Sequence, residues 1–212
     1  MKQRLLVATR STGKRREIDL VLAAIDRTLV YPDDLGLWER PEEAGLETAE
    51  SFEGNARRKA EYFARLTGLE TVADDSGLEV FALGGRPGVR SRRFAMYDGP
   101  PAGLDAANNA ELLKRLAGAA SERRRARYRC VAVYVSDPNS IPHLFEGSCL
   151  GRILEAPRGH EGFGYDPLFL SDDLGKTFGE ASPEEKHAVS HRGRAFRAFA
   201  AWLAQQGTRD AD

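Results

Sequence analysis

The chain opens on a short apolar run, RLLVAT (4–9). It gives way to the polar stretch RSTGK and then to KRREIDLVLAAI, whose apolar residues Ile18, Val21, Leu22 and Ile25 recur at helical spacing. The pattern predicts strand, glycine-containing loop, helix. TLVYP (28–32) predicts the next strand, so the chain begins as a βαβ unit with a parallel pair. Residues 33–50 show no period and a strong acidic bias, which predicts a long loop. From Ser51, a suitable N-cap, Phe52, Ala56, Ala60 and Phe63 form an apolar helical stripe. Asn55 and Lys59, one turn apart, share the face beside it.

Further on, ETVAD (70–74) and LEVFAL (78–83) predict two strands parted by DSG, and GGRPGVRS predicts a rigid loop. ANNAELLKRLAG predicts a helix with Leu112, Leu113 and Leu116 inward. YRCVAVYVS and HLFEGSCLGRILEA predict long antiparallel strands joined through DPNSIP, and GFGYDPLFL (162–170) a loop followed by a strand. The last helix, SPEEKHAVSHRGRAFRAFAAWLAQQ, has Ser182 as cap, Pro183 at the first position and Glu185 completing a capping box, with an interruption at His191-Arg192-Gly193. The fold class is α/β, a mixed central β-sheet flanked by helices.

Length and charge narrow the function. The 212 residues suit one domain or two closely joined lobes, and a chain this long buries roughly 70% of its unfolded surface without needing disulfides or metal. With 31 basic against 32 acidic residues, the net charge of −1 argues against a general nucleic-acid binder. The basic run ERRRARYR (122–129) is expected to be a solvated loop and strand edge. Cys130 and Cys149 sit in apolar runs and are expected to be buried, reduced thiols. No apolar stretch is long enough to cross a bilayer, and the N-terminal run is too short for a signal peptide. The expectation is a cytoplasmic protein with no membrane or nucleic-acid partner.

Candidate chemistry gathers in three loops that follow predicted strands, where an open α/β sheet keeps its ligands. TRSTGK offers hydroxyls, backbone N–H groups and a lysine at a helix start, a combination suited to phosphate, although it is not a Walker A loop. In ADDSG the acid pair could simply shape a turn. Equally, it supplies the oxygen ligands magnesium takes, and an aspartate able to accept a proton from water. GFGYDP combines aromatics, an acid and glycines, and could stack a base or pack into the core. Together the three describe a nucleoside-triphosphate site.

The stretches LLVATRSTGKRREI, EEAGLETAESFEGNARRKA, VADDSGLEVFALGGRPGVRS, ARYRCVAVY, EGFGYDPLF and KTFGEASPEEKHAVSHRGRAF span residues 5 to about 196. In this order they resemble the inosine-triphosphate pyrophosphatase family. The resemblance implies an active-site cleft between two lobes of one pyrophosphatase domain covering 1–212, with a disordered tail from about 207. It implies hydrolysis of ITP, dITP and XTP to the monophosphate and pyrophosphate with Mg2+, usually by a homodimer. By motif, Thr9, Arg10, Ser11, Thr12, Gly13 and Lys14 would hold the triphosphate, with Lys14 catalytic. Asp75 would be the proton acceptor and a metal ligand, Asp74 its support, and Ser76 would touch substrate. Glu43 would be a second metal contact. Phe163, Gly164, Tyr165 and Asp166, with Lys186, His191 and Arg192, would line the nucleotide, Lys186 at the triphosphate and Arg192 at the base. The chain departs from the family pattern at Ser11, usually asparagine, and at Gly54, usually glutamate. Rival readings are a septum-inhibitor-like pyrophosphatase, a nucleotide-sensing module without turnover, and an RNA-binding protein using ERRRARYR.

Overall fold

Leu5, Leu6 and Val7 are each at most 1% exposed, so the opening run is covered on both faces, as a central parallel strand must be. The structure, a computed structural model describing the backbone of residues 2–209, makes this run β1 (Arg4–Val7). It pairs in parallel with β2 (Thr28–Val30) and with β3 (Glu70–Val80). α1 (Thr12–Leu22) is the crossover, with Ile18 and Leu22 buried. The six-stranded sheet has the order β2-β1-β3-β4-β5-β6, where β4 is Arg125–Val135, β5 is His143–Ile153 and β6 is Phe169–Ser171; β5 and β6 are antiparallel. The expected mixed sheet is present. The helices are α2 (Phe52–Thr67), α3 (Leu104–Arg115), α4 (Pro183–Val189) and α5 (His191–Arg209).

Two compact units emerge. The first takes residues up to Asp75, 130–147 and Arg192 onward, and its core holds Leu5, Ile18, Val72, Ala132, Phe196 and Phe199. The second takes Ser76–Arg129 and Ser148–His191, around Leu78, Leu112, Leu116, Tyr128, Phe169 and Phe178. Cys130 and Cys149 are buried free thiols. Among the described residues no helix is long and apolar enough to cross a membrane.

Local signals translate directly. Ser51 Oγ accepts from Gly54 N–H, and Ser182 and Glu185 complete the capping box expected of them. Gly54 also has a packing reason, because a Cβ there would lie 2.8 Å from that of Ala49.

Four expectations change. β3 runs unbroken through Asp74-Asp75-Ser76-Gly77, where a turn was expected, with β4 beside it in the sheet. The last rung from β1 is Ala8 N–H to the Val72 carbonyl, so the acid pair begins where β1 leaves β3. The break before the final helix falls at Ser190, whose ψ of 154° is extended, and His191-Arg192-Gly193 form the first turn of α5. ERRRARYR is only partly solvated. Arg124 is buried, donating to the carbonyls of Leu116, Ile153 and Leu154, and Tyr128 is a core residue. Finally, α5 continues to Arg209, past the start of the expected disordered tail, whose last residues, 210–212, lie outside the described ones.

Candidate active site

In the first unit, two neighbouring carboxylates receive opposite treatment. Asp74, 1% exposed, lies 3.1 Å from Lys14 Nζ and accepts from Arg192 Nε at 3.3 Å. Burial alone would raise its carboxyl, but Lys14, Arg192 and Lys59 outweigh burial and hold it well below the usual range. Asp75 accepts from the Asn55 amide at 2.9 Å. There burial wins over Lys14, Lys59 and that amide, and the carboxyl is raised. Two acids at adjacent positions are thus pushed in opposite directions, Asp74 down by its cations and Asp75 up by burial.

The loop before α1 is built as a helix cap. Thr9 Oγ1 accepts from Ser11 N–H, and Ser11 Oγ, the N-cap, accepts from Lys14 N–H. Thr12 and Gly13 occupy the first turn, where backbone N–H groups have no intrahelical acceptor and the helix dipole favours an anion. The loop therefore presents the unpaired N–H groups of a helix start, with Ser11 as the cap.

Arg10 and Glu43 depart from their expected parts. Arg10 makes a two-point fork with Glu43, both bonds 2.8 Å, so the residue expected on phosphate and the residue expected on metal neutralise each other. The acid whose charge bears on Asp75 is Glu47. It receives a 2.6 Å hydrogen bond from Lys59 Nζ, and that ammonium, ahead of the opposing effect of burial, holds its carboxyl down to about 2. Lys59 in turn is lowered by burial but raised overall by Glu47, Asp74 and Asp75.

Arg192 was expected to read a base. Its side chain is 2% exposed and meets two carboxylates, Glu17 and Asp74. Its pairing helps hold Asp74 as an anion.

The second unit holds the aromatic loop. Asp166 accepts from the Phe163 N–H at 2.8 Å and from Lys186 Nζ, so it ties its own loop together. Gly162, with φ of +76°, allows this closure, since a Cβ there would stand 2.1 Å from Asp166 Oδ2. Lys186, expected at the triphosphate, is 5% exposed, paired with Asp166 and 4.8 Å from the half-buried Phe163 ring. Gly164 is pinned at both backbone groups, by Asp105 and Asn109. Tyr165 is a core residue whose hydroxyl donates to the Ser91 carbonyl, not a substrate-facing one. Ser76 is half-buried on β3. His191, 3% exposed, stacks on Tyr128 with centroids 4.6 Å apart and planes within 7°.

Four residues that sequence reasoning gave no chemical role thus belong to these sets: Asn55, Lys59, Glu47 and Tyr128. The helical spacing of Asn55 and Lys59 was a readable signal. Nothing local singles out Glu47 within its acidic, aperiodic loop, or Tyr128 within a basic run.

The chain is similar to known proteins. The pattern of the Ham1 family matches residues 5–202. A dITP/XTP pyrophosphatase from Geobacter sulfurreducens is 46% identical over 204 residues, covering 96% of this chain and 98% of its own. Among solved structures, a HAM1 protein from Coxiella burnetii superposes with a TM-score of 0.83 at 32% identity, over 96% of this chain and 99% of its own. A nucleoside-triphosphatase / dITP/XTP pyrophosphatase from Mycobacterium abscessus gives 0.70 at 42% identity, over 93% and 98%. The chain belongs to the Ham1 family.

Proposed function

We propose that the protein hydrolyses the non-standard purine nucleoside triphosphates ITP, dITP and XTP to the nucleoside monophosphate and pyrophosphate, with Mg2+. The observation that carries this reading is the split between Asp74, paired with Lys14 and Arg192, and its neighbour Asp75, bonded to Asn55 and raised by burial. Water adds across the anhydride that joins the monophosphate to the departing pyrophosphate. Asp75 takes the proton that water loses, and a raised carboxylate is the stronger base for it. Lys14 and the first turn of α1 hold phosphate oxygens, and Lys59 balances the charge of three carboxylates.

The donor set fits magnesium. Asp75 and Glu47 offer hard carboxylate oxygens. Magnesium takes only one or two carboxylates and keeps water and phosphate oxygens as its other ligands. Bound there, the ion would neutralise charge on the phosphates. For the base, Phe163 offers a ring face, and His191, its plane set by Tyr128, a donor for the keto oxygen that adenine lacks. The reading includes a cytoplasmic homodimer, which sedimentation of the purified protein would check.

Pyrophosphate release from ITP, dITP, XTP, ATP and GTP with Mg2+ is the deciding assay. Rapid release from the first three and feeble release from the last two is expected; equal rates for all five, or none, would overturn the reading. The acid limb of kcat should also respond to Lys59. Lys59→Met removes one of two lysines that lower Asp75, so the limb is expected to move to higher pH. An unmoved limb in a folded variant would show that this charge does not reach Asp75.

A further inference from the structure

One side chain fastens most of the segment after β2. Arg10 donates from Nε to Glu43 Oε2 and from Nη2 to Glu43 Oε1, both at 2.8 Å. Its Nη1 reaches Asp33 Oδ1 at 3.0 Å and the Leu37 carbonyl at 2.8 Å. The guanidinium also lies 5.8 Å from the ring centroid of Phe63 on α2. Glu43 Oε1 accepts from the Arg40 N–H as well, closing the short 3-10 turn Pro41–Gly45. That turn ends two residues before Glu47, which sits on Lys59.

We propose that Arg10 is a positioning residue. It clasps Asp33, Leu37 and Glu43 onto the loop after β1 and so sets Glu47 against Lys59, and it does not hold a substrate phosphate. A guanidinium that already meets a carboxylate at two points and a carbonyl at a third has most of its donors satisfied. Turning it to a phosphate would strip those partners from Glu43 and Leu37, with a penalty for each group left unpaired. A lysine, a point charge without the planar fork, cannot reproduce the clasp, although it could still attract phosphate. The catalytic consequence rests on the reading of Glu47, Lys59 and Asp75 as a hydrolytic set; the clasp itself does not.

The test compares Arg10→Lys, Arg10→Ala, Glu43→Ala and the double variant Arg10→Ala/Glu43→Ala. Two readouts apply: steady-state ITP hydrolysis with Mg2+ well below the melting temperature, and amide hydrogen exchange across 33–47 in the free protein. All three single variants are expected to speed exchange in 33–47 and to lower kcat by at least about tenfold, with KM little changed, as a displaced group does. The double variant is expected to be no worse than the weaker single one. The proposal is overturned if Arg10→Lys keeps the wild-type KM while Arg10→Ala raises it and Glu43→Ala is harmless, the signature of a phosphate ligand. It is equally overturned if exchange speeds up with kcat intact, or if exchange in 33–47 does not change. A wild-type protein inactive on ITP would sink the functional reading, and the exchange data would still decide the clasp.

Discussion

Asp75→Asn is expected to lose most of kcat for ITP, about 10²–10⁴-fold from the proton-accepting role alone, while the protein becomes more stable. The two effects share one cause. Burial raises the Asp75 carboxyl against Lys14, Lys59 and the Asn55 amide, so the fold favours its protonated form. For a group raised in the folded state, that advantage is present at low pH, below the unfolded value, and is lost as pH rises through the folded value. An amide never ionises and keeps the advantage at neutral pH, and its oxygen can still accept from Asn55, now bonded at 2.9 Å. Denaturant melts of the metal-free protein at pH 5 and pH 8, beside turnover, check both halves. The variant's gain should be larger at pH 8. Near-normal turnover, or a loss of stability, would remove Asp75 from its role.

Asp74→Ala is expected to do the reverse, costing about 3–5 kcal/mol of stability, the usual range for stripping one partner from a buried ion pair. Lys14 and Arg192 would lose the carboxylate they share, Arg192 with a side chain only 2% exposed. In a chain of this size each kcal/mol corresponds to roughly 2–4 °C of melting temperature. The sign with pH is opposite to that of Asp75. Asp74 is depressed in the fold, so its contribution is present above the unfolded value and is lost as pH falls toward the folded one. Wild type should therefore lose stability on acidification more steeply than the variant. A loss within about 1 kcal/mol, typical of exposed pairs, would show that Lys14 and Arg192 do not depend on this carboxylate.

How much of this was readable in advance follows the range of the interactions. Ser51 and Ser182 announced their helices because a cap is decided within four residues, and Ile18 and Leu22 announced a buried face because helical period is local. The acid pair was legible as a chemical oddity. Its continuity within β3 was not, because whether Asp-Asp-Ser-Gly turns or stays extended depends on β4, a strand far along the chain at Arg125–Val135.

Partner choice lay further out of reach. Arg10 looked like a phosphate ligand and Glu43 like a metal ligand, and folding across 33 residues joined them instead. Glu47, four positions along an aperiodic loop, took the place beside Lys59. Arg192, in a motif expected to read a base, was drawn 118 residues back to Asp74, because a buried carboxylate needs cations and Lys14 alone left room for another. The elements, the sheet class and the residue types able to do the chemistry were legible along the chain, since these rest on short-range propensity and pattern. Folding set which of the two acids is pulled down and which is pushed up. That difference comes from burial and from cations contributed by α1, α2 and α5, segments distant along the chain.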